Sequence, residues 1–363
     1  MLCNALKRNS TNTLWAMLGL GALLLVPARE ACAQGAQGQW APREDPSNAR
    51  IDNEKVHIQH VQGRVYMLVG AGANIAVQVG DEAVVVVDAG RPEMSDDLVA
   101  AIRRLSNRPI EFVIDTSVDP DHAGGNENIA KAGHYDSGQP GERTGAGIVG
   151  HLNILNRLTA ANAPSGAVPT DAYNAPSWAL FNDEAIILYH APAAHTDGDS
   201  YVFFRRSDVI STGDLFEPSR YPVIESDKGG SIDGIIAGLN DIIAIMVPRE
   251  NEEGGTYLIP GHGRICDRTD IVNYRDAITI IRARIQDLVS KGMALEQVKA
   301  ARTTFDYDGM YGSDAGPWTT SMFVDAIYND LSKADLSKTN DKEKNKSKPK
   351  QKLKGSGTAG GKG

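Results

Sequence analysis

A chain of 363 residues, 41% of them hydrophobic, has the length for one large domain or two small ones and enough apolar side chain for a sizeable core. Its formal charge of −9 is unevenly placed: residues from 333 onward carry +7 and the first 33 carry +2, which leaves 34–332 at −18. So acidic a body excludes nucleic acid as the main partner.

The first 33 residues have the layout of a secretory signal. Lys7 and Arg8 precede an apolar run from Leu14 to Val26, and Ala31-Cys32-Ala33 forms an A-x-A cleavage site. The run is short of the roughly 20 residues that span a bilayer, so the signal is expected to be cleaved and the protein exported, to the periplasm or beyond, with no transmembrane segment left. Cleavage also removes Cys3 and Cys32, and Cys266 alone cannot form an intramolecular disulfide. Residues 34–55 read as a flexible leader and 56–332 as the folded domain. The Lys-rich stretch 333–363 reads as a disordered tail, because it has almost no apolar side chain to bury.

In chain order, "RVYMLVG", "NIAVQVG" and "AVVVVDAG" predict strands, the last two joined at Gly80-Asp81. "SDDLVAAIRRL" predicts a helix with Ser95 as N-cap and with Leu98, Ile102 and Leu105 on one face. "PIEFVIDT" predicts a buried strand running into "SVDPDHAGGN". The Gly- and Pro-rich stretches His134–Gly147 and Ala160–Ser177 predict long loops. Beyond them "EAIILYHAP", "SYVFFRR" and "SDVISTGDL" predict strands, 231–246 a helix and "TYLIPGHG" a strand. Residues 270–289, a shorter segment from Leu295 and 318–331 predict the closing helices. The order predicts a layered α/β domain of two similar halves, with its chemistry in loops at strand ends.

Four such loops carry acids and histidines: Asp119, Asp121 and His122 in the first, then His195, Asp214 and His262. A lone histidine is more often structural than a ligand. Six Asp or His residues in the same strand-then-loop setting, several beside glycines that let backbones approach closely, point instead to a metal centre.

"DPDHAGGN", "APAAHTDGD", "VISTGDL" and "YLIPGHG", in this order and spacing, resemble the metallo-β-lactamase superfamily of metal-dependent hydrolases. "VVVVDAG" resembles its early strand motif, with Asp88 in the position that supports the metal loop. The resemblance covers roughly 56–289. It implies an α/β fold, an αββα sandwich of two mixed β-sheets flanked by helices. It further implies that Asp121, His122 and His262, with Asp214 as a bridging carboxylate, hold the second of two metals. The family's His-x-His-x-Asp-His reads here Ser117-Val118-Asp119-Pro120-Asp121-His122. The first-metal pocket therefore keeps His195 and Asp214, and has Ser117 and Asp119 where the family has histidines.

The activity implied is hydrolysis of a small-molecule ester, lactone, thioester or amide, β-lactams included, by metal-bound hydroxide. One or two zinc ions are expected, and the carboxylate-rich altered pocket would suit manganese or iron. Asp214 stands where β-lactamases more often carry Cys, and the lost histidines weigh against two-metal phosphodiester chemistry. Asp121 is expected as ligand and proton acceptor, and Asp119 as a further ligand or as general base. The competing expectation is a metal-binding protein of the same fold without turnover; a redox role for iron in the altered pocket comes third.

Around the site, Ser117 is expected to bond loop backbone, His151 and His190 to be structural, and His57, His60 and His134 to lie at the surface. Thr196, Asp197, Gly198 and Asp199 are expected to shape the His195 loop, with Asp197 or Asp199 supporting the ligand. Tyr221, Lys228, Tyr257 and Arg264 are near the motif loops in sequence and are candidates for substrate contact.

Overall fold

Runs such as Val84–Val87 are apolar at every position, and a strand of that kind must be covered on both faces. In the computed structural model, which describes residues 55–134, 145–251 and 254–346, two mixed sheets provide the cover. Strands β1 (His57–Gln62), β2 (Val65–Val69), β3 (Ile75–Val79) and β4 (Val84–Val87) form an antiparallel meander. Three parallel strands, β5 (Ile110–Ile114), β6 (Gly147–His151) and β7 (Asp171–Tyr173), extend it in sequence order to a seven-stranded sheet. The second sheet has the order β12-β11-β10-β9-β8, built from β8 (Ser177–Phe181), β9 (Glu184–His190), β10 (Ser200–Phe204), β11 (Val209–Gly213) and β12 (Tyr257–Pro260). Only its last pair, β11 with β12, is parallel.

The side-chain period of two divides the valines of β4 between two cores. Val85 and Val87 meet Met67, Ile114, Val202, Phe204 and Ile259 between the sheets. Val84 and Val86 face Leu98 and Ile102 of α1 (Ser95–Leu105) on the outside. On the far side, Tyr201, Phe203, Ile210 and Leu258 pack in one core with buried residues of α5 (Ile232–Ile245), α6 (Arg268–Ser290) and α9 (Thr320–Lys346). This layering of helix, sheet, sheet and helix is the expected αββα sandwich.

Several local details differ from the sequence reading. Ser95 is the first helical residue and not the cap: a 3-10 turn over Pro92–Met94 precedes it, and its Oγ donates to Pro92 O at 2.9 Å. Strand β1 was unforeseen because an edge strand needs only one covered face, and "HIQHVQ" is only partly buried. Strand β7 lies within the long connection 160–177. Helix α9 continues to Lys346, through the first part of the stretch expected to be structureless from Lys333. Residues 333–346 contain neither Gly nor Pro, and extending an existing helix is far cheaper than nucleating one. The signal, nearly all of the leader, residues 135–144 of the first long loop and the tail from 347 lie outside the described residues. No helix among the described residues is long and apolar enough to cross a membrane.

Candidate metal centre

The parallel pairing β4–β5 and β11–β12 sends four chain segments out over the same rim. β4 leads to Asp88, β5 leads through Thr116 into α2 (Pro120–Ala123), β11 leads to Asp214 and β12 to His262. His195 arrives from the turn between the antiparallel β9 and β10. Glycine makes the approach of two of these loops feasible. A Cβ on Gly261 would stand 2.3 Å from Asp214 Oδ1 and 2.8 Å from the Gly213 carbonyl, and Gly261 N donates to Gly213 O at 2.8 Å.

Asp119-Pro120 starts α2 in the usual manner, with extended backbone at Asp119 and proline at the first helical position. The Asp119 carboxylate makes no cap bond, and its side chain is thereby free for the site. One turn on, His122 is fully buried. Its Nδ1 lies 2.9 Å from Asp88 Oδ2, which also accepts from Thr116 Oγ1 at 2.7 Å, while Asp88 Oδ1 accepts from Thr116 N at 2.8 Å. Asp88 holds φ +64°, a left-handed conformation that aspartate tolerates better than most residues. The carboxylate that fixes Nδ1 turns Nε2 towards Asp214 Oδ1, 3.1 Å away.

Two groups of donors emerge. Asp121, His122 and His262 offer atoms within 4.8 Å of one another, and so do Asp119, His195 and Asp214. His262 Nε2 is 3.3 Å from Asp121 Oδ2 and 3.7 Å from Asp214 Oδ1. His195 Nε2 is 3.5 Å from Asp119 Oδ2. All six residues expected as ligands are thus brought together. His122 Nε2 and Asp214 Oδ1 are buried and pair with each other across 3.1 Å, with no further hydrogen bond to the described residues. Neutral imidazole nitrogen oriented by a carboxylate on its other nitrogen, with carboxylate oxygens around it, is a donor set that suits zinc.

Charge follows this geometry. For His122, burial alone would favour the neutral ring, but Asp214 and Asp88 on its two sides outweigh it and raise its pKa well above the usual value. Burial opposes protonation of His195 too, yet Asp199, Asp214 and Asp119 bring it up to about 9. His262 is raised as well, against burial, chiefly by Asp121. Asp121 is lowered, first by its contact with His262. Asp214, although buried, is held far below the carboxylate range, with His122 the largest of the opposing influences. In the metal-free site the surrounding carboxylates favour protonated imidazoles, and metal binding must displace those protons.

Of the supporting residues, Asp199 secures the His195 loop by accepting from Thr196 N and Thr196 Oγ1, both at 2.7 Å. Asp197 instead takes a bidentate grip from Arg157, at 2.9 and 2.8 Å. Ser117 Oγ faces Asp119 N at 3.4 Å, a loop contact as expected. His151 caps α4 (Leu152–Ala160), its Nδ1 accepting from Asn153 N, and stacks on His190 with ring centroids 3.6 Å apart. His60 and His134 are exposed and His57 is half-buried.

Two of the four proposed substrate contacts are corrected. Tyr221 is buried in the helical core, and its hydroxyl donates to Asp308 Oδ1 or Thr304 O. Tyr257 begins β12, at the end of the strand opposite the rim. Arg264 is held by Asp270 at 2.8 and 2.7 Å, beside a cleft of about 600 Å³. Lys228 reaches the site itself: its Nζ is 2.8 Å from Asp119 Oδ1 and also contacts Glu225. The sequence reading missed Glu217, which forms a third donor group with Asp214 and His262 and is paired with Arg220. Burial, then the Asp214 charge, raises its pKa. The spacing Asp214, Glu217, Arg220, at intervals of three after a strand, was the signal available.

The sequence model of the metallo-beta-lactamase superfamily matches residues 69–262. A solved metallo-beta-lactamase from Pontibacter korlensis aligns at 12% identity and a TM-score of 0.49, over 62% of this chain and 99% of its own. A stereoselective inverting sec-alkylsulfatase from Pseudomonas sp. aligns at 15% identity and a TM-score of 0.56, over 76% of this chain and 50% of its own. The chain thus spans about half the length of the sulfatase it matches. No curated protein matches the chain.

Proposed function

Since the chain belongs to the metallo-beta-lactamase superfamily, we propose that it is an exported hydrolase of small-molecule esters, lactones, thioesters or amides. In this reading it works with the Asp121-His122-His262-Asp214 pocket while the first-metal pocket is altered. The observation that supports the reading is the convergence of donor atoms from Asp121, His122 and His262 within 4.8 Å of one another, with Asp214 Oδ1 3.1 Å from the buried His122 Nε2.

A divalent ion in this pocket supplies a Lewis acid that acidifies water and polarises a substrate carbonyl. Zinc suits the two imidazoles best. The chain's own part is to hold and orient. Asp88 fixes the His122 ring through Nδ1, and Thr116 fixes Asp88 in turn. Asp121 and His262 stand on the open side, with side chains 25% and 30% exposed, so substrate enters past them and Asp121 is the carboxylate placed to take a proton from attacking water. Asp119 is the second carboxylate within reach, with Oδ1 held by Lys228. Export rests on the residue pattern of the first 33 residues.

The reading is tested by metal analysis of the purified protein joined to a hydrolase substrate screen in which alkyl sulfates are included. Zinc near one equivalent with turnover abolished by chelation is expected. Less than roughly 0.2 equivalents of any transition metal after supplementation would overturn it, and one equivalent with no turnover on any ester, lactone, thioester, amide or sulfate would favour a metal-binding protein without catalysis.

A further inference from the structure

Asp119, His195 and Asp214 present donor atoms close enough for an ion, yet a cation of the chain itself already stands beside Asp119. Lys228 Nζ is 2.8 Å from Asp119 Oδ1 and also meets the Glu225 carboxylate. Its side chain is only 31% exposed, unlike that of a lysine trailing in solvent.

The backbone that delivers this ammonium is fixed at several points. Lys228 closes a 3-10 turn over Ser226–Lys228, and Gly229 at φ +85° reverses the chain after it. The Lys228 carbonyl accepts from Asp197 N at 3.0 Å and from Arg157 Nη2 at 2.6 Å. Arg157 is itself locked onto the Asp197 carboxylate, and Glu225 N donates to His195 O at 3.0 Å. The turn is therefore clasped to the very loop that presents His195. No room is left to shift it: a Cβ on Gly230 would stand 2.0 Å from His195 O.

We propose that the Lys228 ammonium is the resident cation of the altered pocket, standing in place of a first metal ion, so that the chain carries one divalent ion and not two. The proposal rests on the reading that Asp121, His122, His262 and Asp214 hold that one ion. The altered pocket sets two carboxylates, Asp119 and Asp214, against the one imidazole of His195. An ammonium offsets this imbalance without dissociating, and it donates hydrogen bonds that a metal cannot. A divalent ion taken up through Asp119 Oδ2, the oxygen facing His195, would share that carboxylate with the ammonium on Oδ1 and stand near a like charge. Metal and Lys228 thus draw on the charge of one carboxylate. Asp119 and Lys228 form a pair, which Glu225 on the lysine side and His195 on the aspartate side extend.

The test uses the full chain, stripped of metal by chelation and dialysed against zinc, with bound metal counted by mass spectrometry and the cobalt-substituted absorption spectrum recorded in parallel. Wild type is expected to bind about one equivalent, and Lys228→Met about two, with the second ion adding cobalt absorption of its own. Lys228→Met combined with Asp119→Asn is expected to return to one. A single equivalent in folded Lys228→Met overturns the proposal while leaving the pocket of Asp121, His122 and His262 standing. Two equivalents in wild type overturn it without any variant, which keeps the question decidable should Lys228→Met fail to fold. A second equivalent that survives Asp119→Asn overturns it too, because that ion would lie elsewhere. No metal in folded wild type brings down the earlier reading and this one with it.

Discussion

Asp88→Asn isolates the orienting role of a residue that touches no substrate. Asparagine tolerates the φ of +64° found there, so the backbone is spared the strain that alanine would bring. One amide oxygen can still accept from Thr116 N, as Asp88 Oδ1 does at 2.8 Å. The amide NH2 then occupies the place of Oδ2, which now receives Thr116 Oγ1 at 2.7 Å and faces His122 Nδ1 at 2.9 Å. Facing a donor, neutral His122 must move its proton to Nε2, the atom aimed at Asp214 and the metal pocket. Loss of such a supporting carboxylate weakens metal binding by about 10- to 100-fold, or roughly 1.4 to 2.7 kcal/mol. The stripped protein should also lose about 2 kcal/mol or more, because His122, protonated between Asp88 and Asp214, keeps only one of two buried anions. Zinc titration against a competing chelator reads the first effect, and thermal melts of stripped protein the second. A zinc affinity within about threefold of wild type would refute the claim that Asp88 sets the ligating tautomer.

Three further outcomes follow from the packing. Gly261→Ala places a Cβ 2.3 Å from Asp214 Oδ1, so zinc affinity should fall at least about tenfold with about 1 to 3 kcal/mol lost in stability; unchanged zinc binding would show that the two loops can part without cost. His151 has a pKa brought down to about 4, by burial first and by His190 second, against about 6.5 in the unfolded chain. Its neutral form therefore contributes stability that is full above pH 6.5 and lost as pH falls towards 4, on the order of 2 kcal/mol. His151→Asn keeps a capping side chain and should flatten the acid limb of Tm against pH in stripped protein, whereas parallel limbs would contradict the assignment. Ser117→His with Asp119→His, the direct restoration of the motif, should lower Tm by several degrees, since Ser117 is fully enclosed and overpacking costs about 1 to 3 kcal/mol. A Tm equal to wild type would mean that the loop can open for an imidazole.

The layers and the rim were legible because they rest on local patterns. An all-valine β4 must be buried on both sides, and acids or histidines directly after β5, β11 and β12 must fall at a common edge once the strands run parallel. What escaped notice depends on contacts between segments distant in sequence. Strand β1 is an edge strand whose partly buried residues send a weak signal. Tyr221 lies near the motif loops in sequence, yet its hydroxyl belongs to the turn around Thr304 and Asp308. The altered motif is the sharpest case. Read alone, Ser117 is a lost ligand and Asp119 a carboxylate in a histidine's place, expected to ligate or to act as general base, and neither shows what else stands in the pocket. The replacement lies 109 residues downstream, on a turn held by Arg157, Asp197 and the His195 loop, none of which belongs to a metal motif. A carboxylate in place of a histidine brings a negative charge into a site already rich in acids, and such a charge persists in a folded protein only with a partner. A metal ion or His195 could have balanced Asp119 as far as the sequence could say; the fold brings Lys228 to it.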